Sequence, residues 1–373
     1  MLRQVDDFAI ACDEPHTATH YWDQMDQFLK EPLKREKGLL KRHNGIDVEQ
    51  TEQGIKIHCN TYLNKILQTK TFDMTVPRNK PIPMLSETSN MRELETTKGP
   101  QTATAAKEFY DEHGFKYRNA TGELIFAMVT CRTDISFAVL KLTQYNNSPA
   151  ACHAHAVKNV YKYLNVTKTD GITFWRPRPN QSLPSATKFV LDDSTYEVFI
   201  PPENAQPSIA YGYTDSDWAN DSSNRKSVSG TAILLAGGCI VYKTILQKTV
   251  ALSSTEAEFY ALTDTGKLVL YVRMVLSDLG IEQSDATSIY EDNRGCLQMT
   301  QALKPTKRTR HVETKYFAIL HWVQTDQINI KKINTSDNAS DVLTKATGKL
   351  LFYRHNATLM GRRKPSYVIG THD

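Results

Sequence analysis

The sequence predicts an α/β fold whose second half is a three-layer mixed sheet. Three observations predict it. Residues 209–346 read as β-β-β-α-β-α-α-β-α, an antiparallel hairpin sheet followed by strands that need crossover helices. A long helix at 253–279, opened by a capping-box pattern and stopped by glycine, follows the hairpin. A Pro-, Ser- and Asn-rich stretch at 177–207 separates this pattern from a different one upstream.

Each element has its own signal. Residues 209–218 read as a strand. Residues 229–236 and 239–243 flank Gly237-Gly238 and read as a hairpin. The helix 253–279 opens on Ser253-x-x-Glu256, a capping box in which side chains satisfy orphan backbone N–H groups, and stops at Gly280. A strand at 288–292, a short helix at 294–303, a helix at 312–324, a strand at 328–333 and a last helix at 338–345 complete the series. Upstream, 5–12 is one arm of a hairpin with two acids at its tip, and 17–30 is a helix ended by Pro32. Residues 45–49 and 54–58 form a second hairpin, followed by a helix at 60–68. Residues 72–107 are polar with four prolines and read as an extended connection. Helix returns over 108–146, and Pro149 starts another with Val157, Val160, Tyr161 and Leu164 on one stripe.

Composition bounds the chemistry. At 40% hydrophobic and 23% charged, the 373 residues read as a globular chain of two or three domains. No run nears the ~18 apolar residues of a membrane span, and acids stand where a secretory signal would have its apolar core. The six cysteines are scattered with no CxxC pair, which points away from a zinc cluster or disulfide framework and towards an intracellular setting, cytoplasmic or nuclear. The net charge of +4 decides nothing about a nucleic-acid partner, but residues 304–311 concentrate cations at Lys304, Lys307, Arg308 and Arg310.

Phosphodiester hydrolysis by two metal ions needs carboxylates from several elements converging on one point. Mg²⁺ prefers hard oxygen ligands, which Asp and Glu supply. Asp215 lies in the first strand of the second half, Glu258 in the first turns of the long helix, Asp292 at the end of the next strand, and Asp341 at the start of the last helix. Asp217 shares a face with Asp215 in a regular strand, whereas Glu291 is expected to point away from Asp292. Glu256 is assigned to capping. Cys152-His-Ala-His155 is read as a solvated helix face, and Trp218, Tyr316 and Phe317 as core.

The strings GYTDSDWANDSSNRKSVSGTAILLAGGCIVYK, ALSSTEAEFYAL, YEDNRGCLQM, RTRHVETKYFAI and NASDVLTKA resemble, in order and spacing, the ribonuclease H domain of copia-type retrotransposon polyproteins. QVDDFAIACDE resembles the polymerase tip motif of the reverse transcriptase, with Gln4 in place of Tyr, and 45–67 and 115–165 resemble the palm and connection that follow. The resemblance implies a ribonuclease H-like three-layer sheet preceded by a partial palm and a helical connection. The implied boundaries are 1–70 truncated palm, 71–176 connection, 177–208 linker or insertion, 209–346 ribonuclease H and 347–373 tail. It implies two Mg²⁺ ions, with Mn²⁺ as a substitute, on Asp215, Glu258, Asp292 and Asp341. The implied activity is cleavage of the RNA strand of an RNA-DNA hybrid. His311 matches a family histidine whose role stays open between an accessory catalytic part, ion pairing and phosphate contact. Asp6 and Asp7 are a vestigial polymerase motif without a partner acid, so no DNA synthesis is expected. Other products of the polyprotein are implied partners. The alternatives are a remnant that binds nucleic acid without cutting, and an integrase-like nuclease.

Overall fold

The structure is a computed structural model that describes residues 2–4, 7–12, 15–32, 34, 38–76, 82–100, 102–176, 186–191, 194–199, 208–219, 224–301 and 313–362. The chain opens with an antiparallel hairpin of β1 (Leu2–Gln4) and β2 (Asp7–Ala9), in which Gln4 pairs with Asp7. Asp6 lies outside the described residues. Helix α1 (Pro15–Asp26) and strands β3 (Arg42–His43), β4 (Ile46–Gln50) and β5 (Gly54–His58) follow, then α2 (Asn60–Gln68). Next come α3 (Thr88–Thr96), α4 (Ala103–His113), α5 (Tyr117–Thr130), α6 (Ser136–Thr143) and α7 (Ala151–Val166). Strand β6 (Gly171–Trp175) then returns to β5, closing a sheet of order β3-β4-β5-β6.

Two expectations are corrected here. The extended connection at 72–107 contains α3 and the start of α4. A mostly polar sequence is helical there because tertiary contacts hold it: Leu94 is buried, Glu95 meets Lys141 at 2.6 Å, and the Leu94 carbonyl bonds His153 Nε2 at 2.7 Å. The same histidine corrects the solvated-face reading of 152–155. His153 is fully buried, and its Nδ1 accepts from the Ala150 N–H at 2.8 Å, capping α7; His155 is exposed. Within the 177–208 stretch, β7 (Ala186–Leu191) and β8 (Ser194–Phe199) form an antiparallel hairpin.

The second half is a five-stranded mixed sheet built from β9 (Tyr211–Asp217), β10 (Val228–Leu235), β11 (Gly238–Leu246), β12 (Thr287–Glu291) and β13 (Ile328–Lys332), in the order β11-β10-β9-β12-β13. The first three strands are antiparallel, and β12 runs parallel to both β9 and β13. The turn between β10 and β11 uses Ala236 at φ 50° and Gly237 at φ 82°, the two left-handed positions that suit a two-residue hairpin. Helices α8 (Ser254–Asp278), α9 (Arg294–Gln301), α10 (Glu313–Gln324) and α11 (Asp341–Thr344) intervene or follow. This is the ribonuclease H-like mixed sheet that the resemblance implies.

Residues 347–373 were expected to be a tail, yet α12 (Lys349–Leu359) is a packed helix. Phe352, Tyr353, Leu359 and Met360 are buried, and α12 lies on β11. One apolar cluster runs from Leu63, Leu124 and Leu142 through Tyr213 and Val228 to Leu343 and Leu359, so both halves share a core. A second cluster, around Phe259, Val269, Ile289 and Tyr316, lies between α8, β12 and α10.

Candidate metal centre

Strand alternation aims two neighbouring residues of β9 in opposite directions. The Thr214 hydroxyl meets Thr265 of α8 at 3.0 Å, and Thr265 in turn meets Thr231 of β10 at 2.7 Å. These buried hydroxyls pin α8 to one face of the sheet. Asp215, the next residue, meets the hydroxyl of Thr344 at the end of α11. Asn338 fixes the start of that segment: its Nδ2 donates to the Thr214 carbonyl at 2.8 Å, and its Oδ1 accepts from the Ser340 hydroxyl at 2.6 Å. Gly230 pairs with Asp215 across the strands. A Cβ there would stand 2.6 Å from Thr344 Cγ2 and 3.0 Å from the Ser340 carbonyl oxygen, so only glycine lets α11 lie this close.

Glu258 comes from the second turn of α8. The helix starts where the capping signal placed it, with Ser253 Oγ accepting from the Glu256 N–H at 3.1 Å and Glu256 Oε2 accepting from the Leu252 N–H at 2.7 Å. Glu256 is therefore a capping residue. Asp292 sits just past β12, where Asn293 starts α9 by accepting the Cys296 N–H at 2.9 Å. Carboxylate oxygens of Asp215, Glu258 and Asp292 lie within 4.8 Å of one another. Asp341 lies outside that trio but shares a cation with Asp215. Lys345 Nζ is 3.1 Å from Asp341 Oδ1 and 3.7 Å from Asp215 Oδ2.

Glu291 was expected to face away, and that expectation is corrected. Strand β12 ends at Glu291, so alternation does not relate it to Asp292. Its side chain is fully buried, Oε1 accepts from the Asn293 N–H at 2.8 Å, and its charge bears on Glu258 more strongly than that of any other carboxylate. Among the aromatic residues assigned to the core, Tyr316 is buried, but Trp218 and Phe317 are 44% and 48% exposed. The side chain of Asp7 and all of His311, Lys304, Lys307, Arg308 and Arg310 lie outside the described residues.

Electrostatics set the state of the cluster. Burial, followed by the charges of Glu291, Asp215 and Asp292, drives the Glu258 carboxyl well above its usual range. Burial raises Asp215 too, against the opposing pull of Lys345. Burial and the neighbouring Asp215 push Asp341 up to about 8. Glu258 Oε2 and Glu291 Oε2 are buried without a hydrogen-bond partner. Several buried carboxylates with an unsatisfied oxygen aimed among them form an all-oxygen donor set with excess negative charge. That donor set fits a hard divalent cation such as Mg²⁺.

No protein family model matches the chain. The retrovirus-related Pol polyprotein from transposon TNT 1-94 of Nicotiana tabacum is 28% identical over 304 residues, 82% of this chain and 20% of that protein. Over most of its length the chain is similar to retrovirus-related Pol polyproteins from plant transposons. It spans about a fifth of the length of the curated Pol polyproteins it matches. Secreted RxLR effector protein 161 of Plasmopara viticola is 35% identical over 148 residues, 40% of this Pol homologue and 84% of the effector. The solved structure of LC11-RNase H1, isolated from compost, is similar over 37% of the Pol homologue and 93% of its own chain, at 17% identity and a TM-score of 0.29.

Proposed function

We propose that this Pol homologue is a Mg²⁺-dependent endonuclease that cuts the RNA strand of RNA-DNA hybrids. The observation that carries the reading is the convergence of Asp215, Glu258 and Asp292 from three separate elements, the first two buried and Asp292 half-buried, with Glu258 Oε2 left without a hydrogen-bond partner. Asp215, Glu258 and Asp292 would hold one divalent ion, and Asp215 with Asp341 a second; Mn²⁺ can substitute for Mg²⁺. Such ions, when bound, make a water nucleophilic and stabilise the departing 3′-oxygen.

The remaining work belongs to the chain's own residues. Thr344 and Asn338 fix the orientation of Asp215 and the approach of α11. Glu291 and Asn293 hold the turn that carries Asp292. Burial keeps water from screening the carboxylates, so their charge acts at full strength on whatever cation enters. Lys304, Lys307, Arg308 and Arg310 would contact phosphates of the hybrid, and His311 a phosphate or a carboxylate beside them. Other products of the polyprotein would be its partners. Asp6 and Asp7 contribute no nucleotide transfer in this reading.

The test offers three labelled substrates of one sequence, an RNA-DNA hybrid labelled on its RNA strand, duplex DNA and single-stranded RNA, each with Mg²⁺ and with chelator. The reading expects Mg²⁺-dependent cutting of RNA in the hybrid alone. Cutting of duplex DNA instead would favour an integrase-like nuclease. A folded chain that binds the hybrid without cutting it would favour a non-catalytic remnant.

A further inference from the structure

Lys345 is the one described cation in ion-pair contact with the carboxylate cluster, and its position is specific. Its ammonium lies between Asp341 Oδ1, at 3.1 Å, and Asp215 Oδ2, at 3.7 Å. Both acids are almost wholly buried, at 5% and 3% side-chain exposure, whereas Lys345 keeps 34% of its side chain in solvent. The residue follows α11 in extended backbone, at φ −147° and ψ 159°, so its side chain is not fixed by helical packing. The long stem therefore reaches in from the rim, with about a third of its side chain still in solvent. Asp217, at the end of β9, also attracts this ammonium.

A Mg²⁺ ion binds carboxylate oxygens at ~2.0–2.1 Å, well inside these ammonium distances. An ion on Asp215 and Asp341 would meet the Lys345 charge in the same space, and two cations cannot share it. The trio of Asp215, Glu258 and Asp292 has no such occupant among the described residues; Glu258 Oε2 and Asp341 Oδ1 both lack a well-aligned hydrogen bond, but only Asp341 Oδ1 has an ammonium beside it, at 3.1 Å. The two halves of the cluster thus differ: one calls for a cation, and the other already has one.

We propose that Lys345 is a built-in counter-ion that competes with the second divalent ion for Asp215 and Asp341. The substrate-free protein then takes up one ion readily and admits the second only as the ammonium withdraws. The inference rests on the metal-centre reading above. It makes Lys345 a positioning residue that controls when the centre becomes complete.

Titration of the full chain with Mn²⁺ alone, by calorimetry and without nucleic acid, tests it. Wild type is expected to bind one ion tightly. Lys345→Met, which keeps the apolar stem and removes the charge, is expected to bind two, with the second at least about tenfold tighter than in wild type. Lys345→Arg keeps the charge and should behave as wild type. Lys345→Gln provides the same comparison if Met disturbs folding, which circular dichroism would report. Equal stoichiometry and affinity in wild type and the neutral variants would overturn the role of Lys345 and leave the metal centre standing. No ion bound by folded wild type would overturn the centre itself, and this inference with it.

Discussion

Asp215 faces Gly230 across paired strands, and this small feature decides whether Asp341 can reach the site. Gly230→Ala places a methyl 2.6 Å from Thr344, so α11 must shift, at a cost of ~1–3 kcal/mol for overpacking. Gly122, in the interior of α5 with open space around it, is the control: Gly122→Ala should stabilise by ~0.5–1 kcal/mol. Paired melts check both signs, and cleavage should fall only in the first variant. The buried acids also set a pH dependence. Glu258, Asp215 and Asp341 are raised, so between the usual carboxylate range and about 8 the native state holds protons that the unfolded chain has lost. Stability of the metal-free protein therefore falls as pH rises through that window. Mg²⁺ needs the ionised carboxylates, so its stabilising effect should grow over the same interval. Thermal melts from pH ~5 to ~8, with and without Mg²⁺, check this; a metal-free melting temperature that rises with pH would contradict it. At this scale strand and helix positions offered Asp215 and Glu258 as candidates, and the resemblance of the surrounding strings singled them out, while the helix cap set Glu256 aside. Glu291 was not legible, because one residue's difference in where β12 ends changes which side chains share a face.

Elements were legible where sequence period and tertiary packing agree. The five strands of the second sheet and the long α8 alternate or cap clearly, and each stands near its expected place. Helix α3 was hidden because most of its residues are polar and only Leu94 is fully buried. Helix α12 was hidden for the opposite reason: His355 and Asn356 are buried beside Phe352 and Tyr353, so no polar face marks its period. Some joints between elements rest on charge. Arg132 is fully buried, with Nε 2.9 Å and Nη2 2.6 Å from Asp134, while Nη1 donates to the Thr167 carbonyl at 3.0 Å. Tyr163 of α7 donates to the same carboxylate at 2.6 Å. The Arg132 guanidinium and this hydroxyl hold the Asp134 carboxyl below its usual range against burial. Asp134→Ala would strand a buried guanidinium, at ~3–5 kcal/mol. Denaturant unfolding should show that loss; a change under ~1 kcal/mol, typical of a surface pair, would contradict the joint.

At the scale of the molecule, the connection region and the mixed sheet behave as one body. The Tyr242 hydroxyl of β11 bonds the Met128 carbonyl, the Trp175 N–H meets the Ala236 carbonyl at 2.8 Å, and the Thr173 N–H meets the Met360 carbonyl at 3.0 Å. The shared core crosses the same seam. A fragment of 209–362 is accordingly expected to melt below the full chain or to aggregate, because Tyr213, Val228 and Leu343 would lose apolar partners. Equal melting temperatures would show the seam to be dispensable. This continuity was not legible in sequence, where the Pro-rich stretch reads as a break; packing between distant segments leaves no local period. The measurement that bears most directly on the account is cleavage of a labelled RNA-DNA hybrid with Mg²⁺ by wild type and by Asp292→Asn. The account predicts RNA-strand cutting by wild type and a loss in the variant of at least the ~10–100-fold that removing even an outer partner of a metal site costs. Equal cutting by a folded Asp292→Asn protein, or none by folded wild type, would contradict it.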